Sequence, residues 1–213
     1  MRKKRGQDQP ARRIGLYGGS FNPIHYAHLV LAEQAREALG LDRVIFVPAK
    51  SPPHKALVHL APASERLRMV RLAVADHPGF RVSDIELRRK GPSYTIDTVK
   101  AFRRRFGRQT KIFFLIGADT VGELPTWKSV RELATLCNIV PLNRPGARKA
   151  TLRMLSPTLG VDAARGILSA TLSMPNLDIS ASDIRRRVSE GQSIRYLVPA
   201  AVEALIRRKN LYC

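Results

Sequence analysis

The stretch Ile14–His28, IGLYGGSFNPIHYAH, decides the fold. Ile14–Tyr17 is a short apolar run of the kind a buried strand needs, and it breaks at Gly18-Gly19. From His28 to Leu39 the chain is rich in Ala, Leu and Glu, and Gly40 follows, which predicts a helix ending at a glycine. Two adjacent glycines let the backbone turn tightly and approach a ligand with no Cβ in the way. The free N–H groups of a helix start bind phosphate. His25 and His28 stand three residues apart and face the same way within a helical turn. Two imidazoles so placed donate to phosphate oxygens; two ordinary surface histidines would satisfy the same spacing. Two ligands do not make a zinc site. The stretch is neither a Walker A motif, which needs Gly-Lys-Ser/Thr, nor a GxGxxG fingerprint.

Outward from this unit the same alternation continues. Val44–Pro48, Phe80–Ser83, Ile112–Ile116 and Asn138–Pro141 read as strands. Ser64–Asp76 reads as a helix with Leu67, Val70 and Val74 on one face. Thr95–Phe106 reads as another, with Ile96, Val99, Phe102 and Phe106 at helical spacing. Residues 144–166 read as a surface loop and helix. Two helices close the chain: Ser180–Glu190, with Ser180 as N-cap and Asp183 at N3, and Pro199–Arg208, with proline in its first turn. The pattern predicts an α/β fold, a doubly wound and mostly parallel sheet with a small C-terminal helical part. Ligands of such sheets sit at the carboxyl ends of the strands, near the topological switch point.

Composition narrows the function classes. With 213 residues and 44% hydrophobic content the chain can bury one sizeable core. We expect a single domain over residues 14–213, preceded by a disordered basic tail over residues 1–13. No stretch approaches the ~20 apolar residues of a membrane helix, and the basic N-terminus has no apolar run of a secretory signal. Cys137 and Cys213 have no metal-ligand spacing and form no disulfide framework, so a reducing, cytoplasmic setting is expected. The formal charge of +20 draws polyanions, either nucleic acid or phosphorylated small molecules.

The run GGSFNPIHYAH resembles the GG(S/T)F(D/N)PxHxGH signature of the HxGH nucleotidyltransferases, with Ala27 standing where that family has glycine. Further motifs select a branch: SPPHK (Ser51–Lys55), SYTIDT (Ser93–Thr98), IGAD (Ile116–Asp119), LPTW (Leu124–Trp127), RPG (Arg144–Gly146) and ISASDIR (Ile179–Arg185). In this order they resemble the bacterial nicotinate-nucleotide adenylyltransferases, from about Ile14 to Tyr212. The last motif departs from ISST-x-IR at Ala181 and Ser182; Ser182 keeps a hydroxyl and Ala181 does not.

Each motif also carries its own chemistry. SPPHK is a stiff diproline segment presenting His54 and Lys55, donors that suit a phosphate or carboxylate, or a plain basic turn. Thr95 is a good N-cap with Asp97 behind it, and helix-start amides bind anions. Trp127 is a packing anchor or a ring that stacks on a flat base. Asp119, after a strand end and a glycine, is a helix cap or an acceptor for ribose hydroxyls. Ser180, Ser182 and Arg185 gather a helix dipole, hydroxyls and a guanidinium at one place. Arg186 and Arg187 read as a solvated face.

The resemblance implies a Rossmann-like nucleotidyltransferase fold and a reaction of ATP with nicotinate mononucleotide that gives nicotinate adenine dinucleotide and pyrophosphate. It implies that His25, His28 and Arg185 are catalytic. It gives ATP the residues Gly18, Gly19, Ser20, Phe21, His28, Gly117, Asp119, Arg144, Ser180, Ser182 and Arg185. It gives the mononucleotide Asn22, Lys50, His54, Lys55, Tyr94, Thr95 and Trp127. Mg²⁺ would bridge substrate phosphates, with few or no protein ligands. A sister transferase acting on pantetheine phosphate or a cytidylyl acceptor is the nearer alternative, and SYTIDT, LPTW and SPPHK stand against it. A basic nucleic-acid-binding protein of the same fold is the other; the His25/His28 pair with Arg185 stands against that.

Overall fold

A computed structural model describes residues 13–51, 60–143 and 150–213. The expected tail, His54, Lys55 and Arg144 therefore lie outside the described residues, apart from Arg13. That residue does not belong to a tail. It opens the first strand, β1 (Arg13–Gly19), its N–H donating to Asp42 and its Nε to the Leu39 carbonyl.

The chain then alternates as expected: α1 (Tyr26–Ala38), β2 (Arg43–Pro48), α2 (Ala63–Ala73), β3 (Phe80–Val82) and a one-turn α3 (Ile85–Arg88). There follow α4 (Thr95–Phe106), β4 (Lys111–Gly117), a 3-10 segment (Ala118–Thr126), α5 (Val130–Leu136) and β5 (Asn138–Asn143). Beyond residue 149 come α6 (Leu152–Leu159), α7 (Val161–Ser169), a two-residue β6 (Leu172–Ser173), α8 (Ala181–Ser189) and α9 (Ala200–Arg208). The sequence pattern did not reveal α3, the 3-10 segment, α5 or β6. All are short, and the helical ones hold too few turns for a clear period.

The described strands form one parallel sheet in the order β3-β2-β1-β4-β5-β6. Chain direction across the sheet reverses between β1 and β4, so the switch point lies between Gly18-Gly19 and Gly117. Strand alternation divides the core. Ile14, Leu16, Ile45, Val47, Phe114 and Ile116 face α4 and α5, where Ile96, Val99, Phe102 and Leu133 cover them. Tyr17, Val44, Phe46 and Leu115 face α1, α2 and α9, against Leu31, Met69, Val70, Val202 and Ile206. Both faces being covered, the strands read as near-continuous apolar runs.

The helix α1 begins at Tyr26, two residues before the expected His28, and two helix caps differ from expectation. The N-cap of α4 is Tyr94, with Thr95 already inside the helix, and no side chain caps it. Pro199 occupies the cap of α9 rather than its first turn. The start of α8 is as expected: Ser180 Oγ accepts from the Asp183 N–H at 3.1 Å.

Candidate active site

The turn after β1 is built from its neighbours inward. A Cβ on Gly19 would stand 3.1 Å from the Phe21 ring, so glycine lets that ring fold back closely on the strand end. Phe21 itself has φ 45°, an αL position that turns the chain toward α1. Its ring lies 5.2 Å from that of His28.

His25 takes the N-cap of α1 with extended backbone, and His28 the third helical position. Their ring centroids are 3.7 Å apart, as the three-residue spacing predicts. The backbone N–H of His25 donates to His28 Nδ1 at 3.2 Å. That bond fixes the tautomer: with Nδ1 accepting, the ring proton of the neutral imidazole is on Nε2.

Asn22 and Arg185 meet at the same turn. Arg185 Nη1 donates to the Asn22 carbonyl at 2.8 Å, so α8 delivers its guanidinium to the end of β1. Asn22 is buried, and its Oδ1 accepts from Ala61 N–H at 3.0 Å and from Tyr212 Oη at 2.8 Å. Burial pushes the Tyr212 phenol above its ordinary range, against the pull of Arg185 and Arg66, so it is a neutral donor. Ser180 and Ser182 hydroxyls lie 3.1 Å apart at the head of α8. Arg186 and Arg187 pair with Asp183, and Arg186 also with Glu190, on the surface.

Beside the turn, at the switch point, lies a cleft of about 180 Å³. Gly18, Gly19, Ser20, Tyr94, Thr95, Gly117 and Trp127, all expected site residues, line it. An apolar cavity of roughly 150 Å³ takes up a benzene ring, so this cleft has the volume for a single substituted aromatic ring. Trp127 is half-buried and meets Phe114 edge-on at 6.0 Å. The uncapped start of α4 brings first-turn amides and positive dipole to the cleft. Of the amides expected there, Tyr94 N–H donates to the Pro92 carbonyl instead.

Asp119 is exposed and does not line the cleft; its carboxylate folds back over Gly117, where a Cβ would collide with it. Lys50 Nζ donates to the Arg89 carbonyl at 3.2 Å.

Residues that sequence reading missed complete the cleft. Lys128 Nζ sits 4.4 Å over the Tyr94 ring. Glu86 is a buried carboxyl on the cleft wall, hydrogen-bonded by the hydroxyls of Thr98 (2.6 Å) and Ser93, and burial raises its pKa. Arg66, fully buried, lies behind the turn. Its signal was present: Arg66, Met69, Val70 and Ala73 are the i, i+3, i+4, i+7 stripe of α2, one position off the stripe read from Leu67.

Cys137 is not a nucleophile candidate, because burial pushes its thiol up to about 12. Among the described residues no group of His, Cys, Asp or Glu is gathered to hold a metal ion, and the turn offers imidazoles and amides. Such a donor set fits phosphate oxygens. No helix of the described residues is long and apolar enough to cross a membrane.

A Rossmann-type switch point carrying an imidazole pair and an arginine is the site of a nucleotidyltransferase. The family model described as cytidylyltransferase-like matches residues 16–187. The chain is 43% identical over 201 residues to a protein of Dehalococcoides mccartyi named probable nicotinate-nucleotide adenylyltransferase, covering 94% of this chain and 97% of that protein. It is 44% identical over 215 residues to the protein of that name in Citrifermentans bemidjiense, covering 94% and 98%. The chain belongs to the cytidylyltransferase-like family and, within it, to the nicotinate-nucleotide adenylyltransferases. Plasmodium falciparum nicotinic acid mononucleotide adenylyltransferase, solved in complex with NaAD, shares the fold at TM-score 0.74 and 17% identity, over 94% of this chain and 97% of that one.

Proposed function

We propose that the chain binds ATP and nicotinate mononucleotide in the cytoplasm and joins them at the β1 turn. The observation that carries this reading is the adjacency of a one-ring cleft, walled by Trp127 and the bare start of α4, to the His25/His28 pair. A phosphate oxygen of the mononucleotide attacks the α-phosphorus of ATP in line. The new P–O bond forms as the bond to the β-phosphate oxygen breaks, and its electron pair leaves with pyrophosphate. The attacking phosphate is already ionised, so no general base is required. Catalysis is then positioning and charge neutralisation.

His28 Nε2–H, His25, Arg185 and the Gly18–Phe21 backbone hold the ATP phosphates, with Ser180 and Ser182 at the head of α8. Gly117 and Asp119 meet the ribose and Arg144 the adenine side. Asn22, Lys50, His54 and Lys55 serve the mononucleotide phosphate. Thr95 and its neighbouring amides take the pyridine carboxylate, and Trp127 stacks on the ring. Mg²⁺ on the phosphates supplies further charge neutralisation when bound.

The test is pyrophosphate release from ATP with nicotinate mononucleotide, nicotinamide mononucleotide or phosphopantetheine as acceptor, with the dinucleotide identified by mass. Adenylylation of the nicotinate acceptor is the expected outcome. Turnover confined to phosphopantetheine, or to CTP as donor, would reject the reading.

A further inference from the structure

Arg66 is the largest fully buried side chain described, and it meets no carboxylate among the described residues. Its guanidinium instead donates to four backbone carbonyls. Nε reaches Ala61 at 3.0 Å, Nη1 reaches Ser20 and Ala49 at 2.7 Å each, and Nη2 reaches Lys50 at 3.2 Å. Those carbonyls belong to the turn after β1, the segment after β2, and the start of the approach to α2. Burial lowers its pKa, yet an arginine stays charged. A full positive charge thus stands behind the turn with only carbonyl dipoles to balance it.

Peptide geometry gives this clamp a direction. In a trans peptide C=O and N–H point opposite ways. Pinning the Ala49 and Lys50 carbonyls to Arg66 turns the Lys50 and Ser51 amides the other way. Both donate to Ser93 Oγ, at 3.0 and 3.4 Å. Ser93 directly precedes the Tyr94–Thr95 start of α4, on the cleft wall. Pinning the Ser20 carbonyl likewise aims the Phe21 amide away from Arg66.

We propose that Arg66 is a positioning residue for adenylyl transfer, holding the phosphate turn and the ring cleft in fixed register. The proposal rests on the phosphate-binding reading of the β1 turn. Only the planar fork reaches carbonyls of three segments at once; a lysine retains the charge and loses the geometry.

The test compares wild type, Arg66→Lys, Arg66→Met and a control core lesion on α9, Leu205→Ala, each checked for folding by circular dichroism and melting temperature. Turnover is measured with both substrates varied, and pyrophosphate binding by calorimetry. Arg66→Lys is expected to lose turnover by ~10²-fold, the scale of a misplaced reacting geometry, and to bind pyrophosphate about tenfold more weakly at a lost charge-assisted contact or two. Leu205→Ala, with a comparable melting loss, keeps both. Should Arg66→Met fail to fold, Arg66→Lys alone decides. An Arg66→Lys protein that turns over and binds pyrophosphate like the Leu205→Ala control overturns the proposal. If wild type forms no dinucleotide yet binds pyrophosphate more tightly than Arg66→Lys, the acceptor assignment fails and the positioning role stands. If wild type does not bind pyrophosphate, both fall.

Discussion

Tyr212 donates its phenolic hydrogen to Asn22 Oδ1 at 2.8 Å across 190 positions of sequence. The same oxygen takes the Ala61 N–H, and the Asn22 backbone carbonyl takes Arg185. One buried amide therefore joins the first turn of the fold, the approach to α2, α8 and the chain's last residues. Asn22→Ala strands two buried donors at ~1–3 kcal/mol each. At ~2–4 °C per kcal/mol for a chain of this size, its melting temperature should fall by about 4–24 °C. Asn22→Asp keeps an acceptor oxygen for both donors and should recover most of the loss. Equal melting of Asn22→Ala and wild type would show that the junction contributes nothing.

His28 supplies a donor whose position is set by the His25 N–H on its other nitrogen. Removing a transition-state donor costs ~10²–10³ in kcat, so His28→Ala should lose at least ~10²-fold while remaining folded. Glutamine places an N–H near the position of Nε2, and asparagine near that of Nδ1. His28→Gln should therefore retain more turnover than His28→Asn. The reverse order would assign the work to the other ring nitrogen.

The central fold was legible because β1, β2, β4 and β5 are buried on both faces and α4 shows a clean 3.6-residue period, so its span Thr95–Phe106 is as the pattern predicts although its cap lies one residue earlier, at Tyr94. The short elements were not legible. The 3-10 segment carries Pro125 inside it, α5 spans seven residues, and β6 is two residues paired to a neighbour far along the chain. In the site, local spacing revealed His25 with His28, since both sit on one helical turn. Glu86 was hidden, and of Arg66 only its place on the buried stripe of α2 was legible: their partners are Thr98, Ser93 and four backbone carbonyls, and nothing in a local window predicts these.

Glu86 should leave a mark on acid stability. Burial raises its folded-state pKa above the ordinary 4.5. A raised pKa means a stabilising contribution that is fully present below the unfolded value and lost as pH climbs through the folded one. Glu86→Gln keeps an acceptor for the Thr98 hydroxyl and cannot ionise. Relative to this variant, wild type should be more stable near pH 4 than near pH 7, with the difference changing upward from about 4.5. A melting-temperature difference that is flat across this range would mean that Glu86 ionises as freely as in the unfolded chain.

The cleft should prefer the acid mononucleotide over the amide. The start of α4 has no side-chain cap; the Asp97 N–H turns back to the Tyr94 carbonyl, and the positive dipole end with the N–H groups of Thr95 and Ile96 faces the ligand side. Lys128 adds a cation over the Tyr94 ring at the same wall. A carboxylate accepts from these donors with both oxygens; an amide sets its own NH₂ against them on one side. Two acidic residues line the wall: Glu123, which is exposed to water, and Glu86, whose carboxyl could welcome that NH₂ but is engaged by the Thr98 and Ser93 hydroxyls and kept toward its neutral form by burial. Each mismatched buried donor costs ~1–3 kcal/mol, and lost charge assistance adds to that. We therefore expect kcat/KM for nicotinate mononucleotide to exceed that for nicotinamide mononucleotide by at least ~10²-fold. Lys128→Met should narrow the ratio by lowering the rate with the acid and sparing the amide. Equal rates with the two acceptors in wild type would remove the carboxylate from the head of α4, and a preference for the amide would mean that Glu86, not the helix start, reads the ring substituent.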